Sequence, residues 1–152
     1  MFFAMLTSQG LSLEQKDRRG KPFTWPKAEL FVESMVPFSA LMLTCDEDVW
    51  TKPERLNEPG FDALHVKPNE KKIELFKITQ GASDSLNLIH AFKCLRNLES
   101  ISEFEIFVYV VVPVDKLNNF KLKEVTGEYE IQRTCKGCSI ETNVAVVGIA
   151  EI

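Results

Sequence analysis

Hydrophobic positions change their period several times along the chain, and each change predicts an element. In WPKAELFVESMVPF, from Trp25 on, Leu30, Phe31 and Met35 recur at helical spacing. Pro26 suits the first turn and Pro37 a stop, so a helix is expected. The apolar run SALMLTC that follows reads as a short buried strand, and DEDVWTKPERLNEPG, with two prolines and an acidic cluster, as a loop. Two further strands are expected at Phe61 to Val66 and Ile73 to Thr79, joined by KPNEKK. In LNLIHAFKCLRNL, Leu88, Phe92 (or Ala91), Leu95 and Leu98 form one helical stripe, with Asp84 or Ser85 as N-cap and His90 as a partly buried polar residue. FEIFVYVVVPV is the strongest strand signal. Its unbroken hydrophobicity requires burial on both faces, so helices are expected on both sides of the sheet. EYEIQRT and TNVAVVGI add two more strand patterns. The order predicts an α/β fold, a sandwich around a mixed sheet.

The two middle strands can be registered. If they form an antiparallel hairpin turning between Asn69 and Glu70, opposed residues have numbers summing to 139. Asp62 then faces Lys77, Leu64 faces Leu75, and Val66 faces Ile73, while Glu74 meets His65 on the other face. An exposed cross-strand pair such as Asp62 and Lys77 is worth about 0.2–1 kcal/mol as structure alone. As chemistry, the carboxylate would hold a divalent cation and the ammonium would orient water or stabilise developing charge.

Composition adds limits. The 152 residues, 45% hydrophobic and 26% charged, suit one domain spanning 1–152, with residues 1–26 as a polar extension. No apolar run reaches the roughly 18–20 residues of a membrane span, and the opening MFFAML is too short for a signal peptide. A formal net charge of −4 argues against nucleic-acid binding by bulk electrostatics and leaves the lysines of KPNEKK and NNFKLK, expected on loops, as contact candidates. Among the four cysteines only Cys135 and Cys138 are close. TCKGCS reads as a hairpin with Lys136 and Gly137 at its turn; a redox pair or half a zinc site are the alternatives, and a disulfide framework is not expected.

The runs PGFDAL, IELFKIT and EIFVYVVVPVDKLNNF, with a helix between the last two, resemble the nuclease-type domain of Crinkler effectors and trypanosomatid retrotransposon hot spot proteins. These belong to the PD-(D/E)xK restriction-endonuclease-like superfamily, and the likeness spans about residues 27 to 120. It implies a three-layer α/β/α sandwich and metal-dependent cleavage of DNA with Mg²⁺ at Asp62. It also implies Lys77 as a catalytic lysine and an extra helix carboxylate from Glu33 or Glu29. Nucleic acid and other domains of a longer protein become the implied partners, and the nucleus the implied compartment. The chain departs from the pattern at Leu75, where an acid two positions before Lys77 would complete the motif. Glu74 is displaced by one and points away from Lys77 unless a β-bulge intervenes. Two expectations follow, an active nuclease or a decayed relative acting as an interaction module.

Overall fold

The computed structural model describes residues 2–16, 21–28, 31–34, 47–53, 61–96, 101–135 and 137–150. The first element is a helix, α1 (Phe2–Ser8), whose buried Phe2, Met5 and Leu6 follow the i, i+3, i+4 spacing of one helical face. Gly10 ends it in the left-handed region, φ 93°, with its N–H donating to the Met5 carbonyl at 3.0 Å. Strands β1 (Leu11–Gln15) and β2 (Phe23–Trp25) pair antiparallel. The segment expected to be a polar extension therefore contributes a helix and two strands, with Phe2, Leu6, Leu13 and Trp25 in the core.

Residues 31–34 form strand β3 (Phe31–Ser34), parallel to β4 (Val49–Pro53). Within the described residues this corrects the helix expected across 31–34 and the loop expected across 49–53. Phe31 and Val32 are strand formers, and an open neighbouring edge supplies the hydrogen bonds that settle a short ambiguous run. The strand read from SALMLTC lies outside the described residues. Beyond it come β5 (Ala63–Lys67), a 3-10 turn, and β6 (Lys72–Ile78). Their ladder holds Leu64 opposite Leu75 and His65 opposite Glu74, the expected register. After β6 comes strand β7 (Ser83–Asn87), which includes both residues expected as the helix N-cap. Helix α2 (Ile89–Arg96) then crosses over to β8 (Glu105–Pro113), parallel to β6. Its first turn is capped by Asn87, whose Oδ1 accepts the Ile89 N–H at 3.0 Å, in place of Asp84 or Ser85. His90 is exposed.

After β8 the chain makes a 3-10 segment and strand β9 (Lys121–Thr126), which pairs parallel with β7 in a small separate sheet. The lysines of NNFKLK thus sit largely on a strand instead of a loop. EYEIQRT, expected as a strand, is helix α3 (Glu128–Thr134). Gly127 precedes it at φ 114°, Glu128 and Glu130 fall in its first turn and Arg133 in its last, a charge order that suits the helix dipole. Its buried positions, Ile131 and Thr134, are one helical turn apart. The CxxC does not close a hairpin. Cys135 and Cys138 are joined as a disulfide in the turn between α3 and α4 (Ile140–Asn143), both sulfurs' residues buried. Strand β10 (Val144–Ile149) runs parallel to β8, as its pattern predicts it to be a strand.

The large mixed sheet runs β2-β1-β10-β8-β6-β5-β4-β3. One face, with Leu64, Leu75, Val108 and Val110, packs on Ala91, Phe92 and Leu95 of α2 and Ile131 of α3. The other carries Phe76, Tyr109 and Val111 against α1 and the two tryptophans. In a flat sheet about 19 Å would separate β2 from β6. Instead the Trp25 ring on β2 lies 5.3 Å from Phe76 on β6, as does Trp50 on β4. The sheet is strongly curled, and its concave face is filled by its own aromatic side chains and one short helix. The expectation of helices on both faces is met by helices α2 and α3 on one side, and largely by curling on the other.

Candidate functional site

Antiparallel pairing carries the hairpin one residue past its last strand pair, because the Asp62 N–H donates to the Phe76 carbonyl at 2.8 Å. The Asp62 carboxylate then folds back on the adjoining strand, where Oδ2 accepts the Ile78 N–H at 2.6 Å. Asp62 is half-buried. Burial raises its pKa above the ordinary carboxylate value, against the lowering effects of the Ile78 hydrogen bond and the Lys77 charge. Lys77 is near enough to be felt, but its ion-pair partner among the described residues is Asp84 of β7, at 3.6 Å. It also donates to the Ser85 carbonyl at 3.2 Å. The sequence-predicted pair is therefore brought to one end of the hairpin, with Asp84 interposed as a second carboxylate on the lysine.

Glu33 lies on β3, opposite Lys52 of β4, and not on a helix. Glu29 lies outside the described residues. Leu75 is 0% exposed, in the packed cluster beneath α2. Glu74 faces the opposite side of the sheet from Lys77, and the only irregularity in the described ladders falls between Asp84 and Ser85, not within β6. Among the described residues, no group of three His, Cys, Asp or Glu side chains is placed to share a cation.

The opposite face holds a polar cluster of a different kind. Glu74, 6% exposed, accepts the Trp25 indole N–H at 2.8 Å and meets His65 Nδ1 at 2.8 Å. The Tyr109 hydroxyl is hydrogen-bonded to the same carboxylate. Burial drives the Tyr109 pKa well above the phenolic range, and the Glu74 charge and hydrogen bond push the same way. A buried carboxylate is tolerable only when donors surround it, and here three strands and an aromatic wall supply them. His65 is itself 2% exposed, and its ring stacks on Trp50 with centroids 4.1 Å apart and planes 9° from parallel. Its other nitrogen, Nε2, lies 3.7 Å from the half-exposed Asp48. Beside it opens a cavity of about 400 Å³ lined by Lys27, Glu47, Asp48, Trp50 and His65, with Pro26 and Ala28 completing the wall.

No protein-family model, curated protein or solved structure matches the chain.

The His65–Glu74 contact was readable from the register of the hairpin. Trp25, Asp48 and Trp50 were not, because Trp25 and Trp50 lie on strands that pattern assigned to other conformations and Asp48 immediately precedes the second of them. The one local signal was the density of charged and aromatic residues in DEDVW, which alone does not distinguish a solvated loop from a cavity wall.

Proposed function

We propose that the chain is a restriction-endonuclease-like domain that has lost metal-dependent DNA cleavage and serves as an interaction module of a longer protein. Support for the fold comes from the antiparallel meander β4, β5, β6 and, after the short strand β7 and helix α2, a β8 that returns parallel to β6. The observation that carries the loss of activity is Leu75. At the position of the motif's second acid stands a fully buried leucine, while the neighbouring Glu74 is engaged on the other face by Trp25, His65 and Tyr109. The donors present fit a resident Mg²⁺ poorly. Mg²⁺ needs at least one ionised carboxylate with a free oxygen, whereas Asp62 has one oxygen committed to the backbone and burial disfavours its ionised form.

A second reading, a working nuclease, is favoured by one feature. Lys77 sits within reach of two carboxylates, Asp62 and Asp84. Incubation of the purified protein with plasmid DNA and Mg²⁺ or Mn²⁺, beside Asp62→Ala and Lys77→Ala, separates the two. The proposal expects intact plasmid in every lane with folded protein by circular dichroism. Cleavage by the parent that both variants abolish would establish the nuclease and remove the proposal. Nucleic acid as a partner and the nucleus as compartment belong to that second reading; among the described residues no helix is long and apolar enough to cross a membrane.

A further inference from the structure

We infer that the cavity beside His65 is a binding site for an organic cation that donates hydrogen bonds, a guanidinium or a primary ammonium group. The inference stands apart from the question of DNA cleavage, since the cavity opens on the side of the sheet away from Lys77.

The decisive group is His65. Glu74 is an acceptor already held by the indole of Trp25, so the short contact to His65 assigns the imidazole proton to Nδ1. In the neutral ring Nε2 is then an acceptor. His65 lines the cavity, and among the described residues Nε2 faces Asp48 Oδ2, 3.7 Å away, another acceptor and too far for a hydrogen bond. The two acceptors converge at the cavity. A nitrogen about 2.9 Å from each closes a triangle on that 3.7 Å side. The ring cannot turn away to solvent, because it is 2% exposed and sandwiched against Trp50.

Charge selects a cation. Glu47 and Asp48 line the cavity and Glu74 lies directly behind His65, with Lys27 as the one basic residue among the described lining residues. Lys67, which feels both Glu74 and Asp48, is tied to Glu70 at 2.9 Å. Among the described residues three carboxylates stand against one ammonium, a negative balance that low-dielectric walls concentrate. The volume falls in the range of small-ligand sites. A guanidinium can engage Nε2 and the carboxylate together through its fork, whether carried by a small molecule or by an arginine side chain.

The test is a titration of the full chain with agmatine, with a capped peptide bearing a single arginine, and with the corresponding citrulline peptide as the neutral isostere. Binding is followed by Trp fluorescence and by ¹H–¹⁵N resonances of His65. Saturable binding of either cation is expected, weakened at least about tenfold by Asp48→Asn and by His65→Gln, with none for citrulline. Asp48 is half-exposed, so its variant remains informative if His65→Gln does not fold. Agmatine binding as tightly as the peptide identifies a free small molecule as sufficient; binding of the peptide alone identifies an arginine side chain. Absence of saturation by both cations, equal affinity of Asp48→Asn, or equal binding of citrulline overturns the inference.

Discussion

Trp25→Phe isolates the bond that closes the curled sheet. Trp25 sits on the edge strand β2, and its N–H reaches Glu74, four strands along, at 2.8 Å. Phenylalanine keeps an aromatic ring near Phe76 and Tyr109 but removes the donor. Hydrogen bonds to charged groups contribute about 1.5–3 kcal/mol, and a buried carboxylate left one donor short loses that much without recovering hydration. Against a total stability of about 5–15 kcal/mol the loss is large. For a protein of this length it corresponds to a fall in Tm of roughly 3–12 °C. Packing lost with the smaller ring adds to the fall, so a double-mutant cycle with Glu74→Gln separates the two. A coupling of about 0.5–3 kcal/mol is expected from urea denaturation of the four proteins. A coupling near zero, with Trp25→Phe melting within about 1 °C of the parent, would show that packing alone holds the curl.

Three further outcomes are expected. Leu75→Glu, which restores the acid of the (D/E)xK pattern, puts a carboxylate in a site with no exposure and should cost more than about 4 kcal/mol, seen as loss of cooperative unfolding; a variant that unfolds cooperatively within about 1 kcal/mol of the parent would contradict that cost. Asp62 has its folded pKa raised by burial, so its ionised form is a cost that appears as pH rises through the unfolded value of 3.8 to the folded one, and is absent below both. Asp62→Asn, which retains an acceptor for the Ile78 N–H, should therefore raise Tm at pH 7, with the gain shrinking as pH falls into the carboxylate range; an unchanged or lower Tm at neutral pH contradicts the sign. Gly10→Ala should lower stability by more than about 1 kcal/mol in chemical denaturation, because the residue sits at φ 93° and an added Cβ would clash with the Trp25 carbonyl oxygen; a neutral effect would mean that the turn and β2 shift freely.

Pattern alone located the elements whose partners are near in sequence or whose signal is long. The β5–β6 hairpin, α2, β8 and β10 appear where periodicity placed them, because alternation, a helical stripe and a nine-residue run rich in valine admit one conformation each. The hairpin register even paired His65 with Glu74. Tertiary structure decided the short segments. VWTKP at 49–53 becomes a strand against β5 and in turn offers an edge to FVES at 31–34, and EYEIQRT becomes a helix because Ile131 and Thr134 find the same wall. It also decided the chemistry. Asp62 and Lys77 share one end of a hairpin, as their spacing implied, but Asp84 arrives from β7 to take the lysine. The cavity needed Asp48 and Trp50 beside His65 and Trp25 on the Glu74 carboxylate behind it, and the curl of the sheet, a property of all its strands together, brings Trp25 there.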